Sequence, residues 1–243
     1  MSHNTSSHKT RHAFSHGRTV EQFDRREAAS NYPAEYGQKF RERKERSCIL
    51  KALEHVAPNS SILDLPCGTG RLTRILVEAG LEVTGADSSG HMVELARTNW
   101  QNIQARDSRF ESKNVTFDVC DVMQTKYADG QFDAVICNRL FHHFNESETR
   151  IQALEELLRI CKGPLIISFF DSFALDSLKR SLSYAVRGKV QTDRIPIPMR
   201  RFADEIQQAG LEIVDTLSIL RGFSPMRYVV LQSASKKTQL SAA

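Results

Sequence analysis

Two stretches of this chain place ligand-binding chemistry at regular positions. In the run Ile62-Leu63-Asp64-Leu65-Pro66-Cys67-Gly68-Thr69-Gly70-Arg71, an apolar segment ends in a carboxylate and opens into two glycines one residue apart. With no Cβ to intrude, Gly68 and Gly70 let the backbone turn sharply and let a ligand come close to it. Asp87 stands seventeen residues after Gly70, at the end of the next apolar segment. A carboxylate there can accept two hydrogen bonds from a ribose diol. Beside Ser88 and Ser89, it has equally the chemistry of a helix N-cap. The two stretches together point to a nucleoside-containing ligand.

The spacing excludes the commoner nucleotide sites. A dinucleotide fingerprint needs a third glycine three residues after the second, and that position is Thr73. The missing glycine also weakens the case for a pyrophosphate at the helix N-terminus, and no Gly-x-x-x-x-Gly-Lys-Ser/Thr run exists. The five cysteines (Cys48, Cys67, Cys120, Cys137, Cys161) are scattered and form no C-x-x-C pair, so neither a disulfide framework nor a zinc site is expected. Most lie in apolar segments, where cysteine acts as a small hydrophobe. No metal is expected, and a reducing, cytoplasmic compartment fits.

The elements that must position these residues follow from periodicity. Residues 61–65, 81–86, 115–119, 132–137 and 164–170 read as short strands, the last as an apolar one of the kind buried in a parallel sheet. Helices are expected after the glycine loop (Leu72, Ile75, Leu76 and Ala79 on one face, Gly80 closing it), over 91–100, over 150–161 and over 199–209. Residues 211–217 and 228–232 read as a closing pair of strands. Strands alternating with helices give an α/β fold: a doubly wound, mainly parallel, seven-stranded sheet. Residues 21–57 read as a helical cap interrupted at Tyr32-Pro33, and 58–234 as the main domain with a lid-like insertion over 171–199. Residues 1–20, with His3, His8, His12 and His16, and 235–243 read as polar tails. A chain of 243 residues suits one large domain. No run of eighteen apolar residues marks a membrane span, and a net charge of +4 is mild for a dedicated nucleic-acid binder.

The run Asp64 to Gly70, with Asp87 and the later Phe117-Asp118-Val119-Cys120-Asp121, resembles the class I S-adenosylmethionine-dependent methyltransferases over residues 45–170. Within that family it is similar to the small-molecule branch typified by ubiquinone and menaquinone biosynthesis enzymes. The resemblance implies S-adenosyl-L-methionine as cofactor. The loop of Cys67, Gly68, Thr69 and Gly70 would pass under the methionine part, and Asp64 would hold that loop or the cofactor ammonium. Asp87, with Ser88 beside it, would hold the ribose; Asp121 and the Val122 N–H would take the adenine edge. Met92 would pack on the adenine face or simply belong to the helix core. Asn138 would line the methionine end. Family members commonly carry glycine where this chain has Pro66, which fixes φ and cannot donate.

The acceptor is less legible. His142 and His143 follow the strand at 132–137, and a histidine there could act as general base for a hydroxyl acceptor or serve packing and capping. There is no Asn-Pro-Pro-Tyr to hold an exocyclic amine, and neither Cys137 nor Cys67 is placed as a nucleophile. Tyr36 and Arg43 in the cap, and Arg187 among the basic residues of the insertion, are candidates for contacting an acceptor, anionic if that basic stretch recognises it. The expected reaction is methyl transfer to a small-molecule or lipid-like acceptor. A protein or RNA acceptor and a non-catalytic cofactor-binding module stand as alternatives.

Overall fold

In the computed structural model, residues 36–173, 195–220 and 224–234 are described, with side chains from residue 42 onward. The strands are β1 (Ser61–Asp64), β2 (Glu82–Asp87), β3 (Thr116–Val119), β4 (Ala134–Cys137), β5 (Leu165–Phe170), β6 (Leu211–Ser218) and β7 (Met226–Ser233). They form one sheet in the order β3-β2-β1-β4-β5-β7-β6. The first five are parallel, and β7 inserts antiparallel between β5 and β6. The helices are α1 (Tyr36–Leu53), α2 (Thr73–Glu78), α3 (Gly90–Arg106), α4 (Ser147–Ile160) and α5 (Met199–Gln208).

Side chains alternate across a strand, and this separates two cores. Ile62, Ala134, Ile136, Ile166, Tyr228 and Val230 face one side, under Ile49 and Ala52 of α1, Leu76 of α2 and Val93 and Ala96 of α3. Leu63, Val135, Cys137, Leu165, Ile167 and Val229 face the other, under Leu154 and Leu157 of α4 and Phe202 and Ile206 of α5. The chain runs outward from β1 to β3, then returns to place β4 on the other side of β1. Strand order therefore reverses between β1 and β4, and open α/β sheets bind ligands beyond the carboxyl ends of their strands at such a point.

The expected strands are all present, with ends moved by a residue or two. Two helices are longer than their apolar pattern. Helix α3 starts one residue earlier because Ser89 caps it, its Oγ accepting the Met92 N–H at 3.3 Å. Its last turns are polar and continue past Trp100, which meets Phe110 edge-on at 5.6 Å. Helix α4 begins at Ser147 rather than 150. Strand β5 is not wholly apolar: Ser168 is fully buried in it, and its hydroxyl has specific partners. Three sequence assignments lie outside the described residues: the tails, the first part of the cap with its break at Tyr32-Pro33, and most of the insertion, Arg187 included. No helix among the described residues is long and apolar enough to cross a membrane.

Arg150, which patterning placed on an ordinary amphipathic helix, is one of the largest fully buried side chains. Its guanidinium donates to both carboxylate oxygens of Glu205 on α5, at 2.7 and 2.5 Å, and to the Phe144 carbonyl at 2.6 Å. Breaking a buried pair strands a charge without water, whereas replacing both partners does not. Glu205→Ala should therefore cost about 3–5 kcal/mol, lowering the melting temperature by roughly 10 °C in a domain of this size. Arg150→Met/Glu205→Leu should recover most of that loss; differential scanning calorimetry of the three proteins checks both.

Candidate cofactor and acceptor site

The loop after β1 is stitched to both strands beside it. The Leu65 N–H donates to the Ile136 carbonyl of β4 at 3.0 Å, and the Cys67 N–H to the Ala86 carbonyl of β2 at 2.7 Å. Between them the Leu65–Pro66 bond is cis. The two glycines are not equivalent. Both have positive φ, +54° at Gly68 and +77° at Gly70. A Cβ on Gly70 would meet Thr73 Oγ1 at 3.2 Å and the Ala96 side chain at 3.3 Å, so this glycine lets the loop pack on α3. A Cβ on Gly68 would meet nothing within 4 Å. Gly68 thus turns the chain while facing open space, where a ligand can approach the backbone.

Asp87, 6% exposed, holds this loop. One carboxylate oxygen accepts the Gly68 N–H at 2.9 Å and the other accepts the Ser89 N–H at 3.0 Å. Burial pushes its pKa up, and bonds from Ser89, Gly68 and Ser88 oppose the shift. The N-cap role falls to Ser89, not Asp87. A carboxylate has about four lone-pair positions, so beside these backbone bonds a ligand hydroxyl can still be accepted. Met92 is buried in the first turn of α3, and Ser88 is half-buried beside it. The Thr69 carbonyl accepts from Asn99 at 3.0 Å. Past β3, Asp121 folds back on its own turn, accepting the Met123 N–H at 2.9 Å, with Val122 buried next to it. Val119 is 53% exposed, an uncovered apolar side chain at this end of β3.

Asp64 is the most unusual group. It is 1% exposed, and neither carboxylate oxygen has a hydrogen-bond partner. Burial raises its pKa to about 8; Arg71 works against that rise and Asp87 with it. A buried carboxyl left without a donor is costly to ionise unless a cation or donor comes to it. The Cys67 and Cys137 thiols are pushed up by burial, which removes them as nucleophiles.

At the methionine end foreseen for Asn138, the structure shows more than that residue. Asn138 is buried; its Oδ1 accepts from Ser168 Oγ at 2.9 Å and lies 2.9 Å from the Tyr228 hydroxyl. Ser168 Oγ in turn accepts the Arg139 N–H at 2.7 Å, holding Arg139 at φ +61°. Glu45 of α1, 1% exposed, accepts two hydrogen bonds each from Arg71, at 3.1 and 2.8 Å, and Arg139, at 3.2 and 2.7 Å. Tyr228 Oη is 2.9 Å from the same carboxylate. Burial pushes the Glu45 pKa up, but the two guanidiniums more than offset it and hold it below the usual range. Glu45, Ser168 and Tyr228 escaped the sequence reading. A signal for Glu45 existed: it lies four residues before Ile49 and seven before Ala52, on the buried stripe of its helix.

His142 is 3% exposed, its ring stacked on Phe170 with centroids 4.0 Å apart and planes 3° from parallel. His143 lies against it, half-buried, at 4.2 Å. Arg43 is on the exposed side of α1, and Tyr36 is the first residue of that helix. A separate open groove of about 540 Å³ runs between α1 and β6, at the sheet edge farthest from β3; Lys44, Ser47, Lys51 and Ser218 are among its lining.

The sequence and the fold both find matches among known proteins. Residues 62–163 match the family described as "Methyltransferase domain". That segment carries a methyltransferase domain on the class I fold. The chain is 31% identical over 166 residues to malonyl-[acyl-carrier protein] O-methyltransferase of Acetivibrio thermocellus, covering 67% of this chain and 53% of that one. It is also 31% identical over 110 residues to the tRNA (carboxymethyluridine(34)-5-O)-methyltransferase alkbh8 of Xenopus tropicalis, 45% of this chain and 15% of that one. Among solved structures, magnesium protoporphyrin IX methyltransferase of Synechocystis, with bound SAH, superposes with a TM-score of 0.69 at 20% identity, covering 89% of this chain and 98% of that one. The chain thus spans 22% or less of the tRNA methyltransferases it matches and about half of the malonyl enzyme.

The Asp64 carboxyl makes stability depend on pH. Its folded pKa is raised from 3.8 to about 8, so the folded protein holds a proton that the unfolded chain releases. The stabilisation is complete below pH 4 and is lost as pH rises through 8. Between pH 6 and 9 the melting temperature should fall more steeply in the wild type than in Asp64→Asn, by about 3 °C or more. Parallel melting curves in matched buffers measure the difference.

Proposed function

We propose that this chain binds S-adenosylmethionine in the crevice between β1 and β4 and methylates a carboxylate oxygen of a small acidic acceptor, giving a methyl ester. The observation that carries this reading is the pairing of two guanidiniums with a single carboxylate. Arg71 and Arg139 leave the carboxyl ends of β1 and β4, share Glu45 between them, and are about one-third exposed. Both guanidiniums present donors at this edge of the site, the chemistry that suits an acidic acceptor.

The residues fit the cofactor. Asp64 offers a buried carboxyl without a hydrogen-bond partner, which an ammonium would draw into its ionised form, Gly68 an open backbone, and Asp87 its remaining acceptor position to a ribose hydroxyl. Asp121 and Val122 stand at the adenine end and Asn138 at the methionine end. When bound, S-adenosylmethionine supplies an electrophilic methyl whose bond to sulfur breaks as the acceptor oxygen bonds to carbon, leaving a neutral thioether. The protein's part is to align the acceptor with that methyl and to exclude water, worth about 7–11 kcal/mol where alignment is good.

A carboxylate acceptor is already ionised at neutral pH and needs no general base. In this reading His142 shapes the site through its stack on Phe170. Two matched relatives support the acceptor class: a malonyl group and a carboxymethyl group both end in a CH₂–COO⁻ unit. The malonyl enzyme aligns with more of this chain than the tRNA enzyme does, 67% against 45%, which favours a small acceptor over RNA. The five thiols, free in the structure, support a reducing, cytoplasmic setting.

Incubation with methyl-labelled S-adenosylmethionine and a panel of malonyl thioesters, free dicarboxylic acids and transfer RNA tests the proposal. The expected product is a small molecule that releases labelled methanol on mild base treatment. Label in a base-stable ether or amine, or only in RNA, would sink the carboxylate or the small-molecule part respectively. Asp87→Ala should weaken binding of S-adenosylhomocysteine at least about tenfold, since bonds to a charged group contribute about 1.5–3 kcal/mol each. Isothermal titration calorimetry reads that loss directly.

A further inference from the structure

Glu45 receives side chains from three separate parts of the sheet. Arg71 follows the glycine loop, Arg139 and Asn138 follow β4, and Tyr228 lies on β7. Glu45 itself comes from outside the sheet, on α1, whose other buried side chains (Cys48, Ile49, Ala52, Leu53) are all apolar. Apolar contacts fix the position of α1 loosely, whereas a carboxylate taking two bidentate guanidiniums is satisfied in one geometry only. Lifting α1 would take the shared Glu45 carboxylate away from two neighbouring arginines. It would also leave the one Tyr228 hydroxyl proton, now shared between Glu45 and Asn138 Oδ1, to Asn138 alone. The cluster continues inward. Asn138 bonds Ser168, and Ser168 holds the Arg139 backbone at its positive φ. On the other side Arg71 directly follows Gly70, whose turn is packed on Ala96 of α3.

We infer that Glu45 is a positioning residue that couples docking of α1 to the shape of the cofactor loop, so that cofactor binding clamps α1 onto the sheet. The inference rests on the crevice being the cofactor site, not on the identity of the acceptor. Coupling between two equilibria is reciprocal. The factor by which bound cofactor suppresses opening of α1 must equal the factor by which docked α1 strengthens cofactor binding. A residue that merely stabilised the fold would shift the melting temperature without producing that equality.

The test uses the full chain, S-adenosylhomocysteine as probe, and hydrogen exchange read by mass spectrometry. In the wild type, saturating probe should slow exchange of α1 amides by about five- to hundredfold, the usual range of coupling between sites. In Glu45→Gln, α1 should exchange fast with or without probe, and the probe's Kd should rise by the same factor, while β1, β4 and β5 amides stay protected. Arg71→Gln leaves Glu45 paired with Arg139 and Tyr228. It should lower both factors together, and it supplies the answer if the core of Glu45→Gln does not hold. Equal α1 exchange in free and bound wild type, or retained coupling in Arg71→Gln or in a folded Glu45→Gln, would overturn the inference. Failure of the wild type to bind the probe would overturn the cofactor reading with it, whereas binding without α1 protection overturns the coupling alone. No acceptor enters these measurements, so a failed search for a methyl ester leaves them standing.

Discussion

Where β1 ends, its neighbours β2 and β4 carry the chain to opposite halves of the sheet, and the loop leaving β1 must satisfy its backbone donors from both. It does so through Leu65 to Ile136, Cys67 to Ala86, and Gly68 to the Asp87 carboxylate. Buried amides without partners are costly, so these three bonds restrict the loop closely. The rest of the site follows from them. Gly68 is turned toward open space, Gly70 is pressed on α3, and Asp64 is sealed beneath with nothing to bond. The site lies where strand order reverses between β1 and β4.

Charge is distributed over this site with a consistent logic. Three carboxylates are buried near it, and each is satisfied differently. Asp87 takes backbone N–H groups, Glu45 takes guanidiniums, and Asp64 takes neither. Their ionisation follows: Glu45 is held low, whereas burial raises Asp87 and takes Asp64 to about 8. A cationic ligand portion placed by Asp64 would relieve the one of these three carboxylates that has no hydrogen-bond partner. The arginines balanced on Glu45 would supply the opposite sign to the acidic acceptor proposed above.

The helical cap matters to this arrangement more than its composition suggests. Its exposed side is a run of charges, which reads as ordinary solvation, and its buried side is short. One carboxylate on that buried side joins it to the glycine loop, to the end of β4 and to β7. A helix that sequence alone would treat as a cover is thereby tied into the site.

Much was legible in the chain because local periodicity and turn chemistry are local physics. Alternating apolar residues gave the strands, Gly68, Gly70 and Asp87 gave the crevice, and the absence of a glycine at Thr73 separated this loop from dinucleotide sites. What those signals could not carry is partnership at long range. Ser168 reads as a small residue in an apolar strand until Arg139 and Asn138 are seen beside it, and Arg150 reads as surface until Glu205 faces it. Glu45 is separated by 26, 94 and 183 residues from Arg71, Arg139 and Tyr228, and no pattern within a helix can specify such neighbours. The sequence by itself determined which segments are strands, which are helices, and where the backbone turns sharply enough to leave open space beside it. Only the tertiary structure decided which charges are buried and what neutralises them, because the free energy of a buried charge depends on every group the fold brings near it.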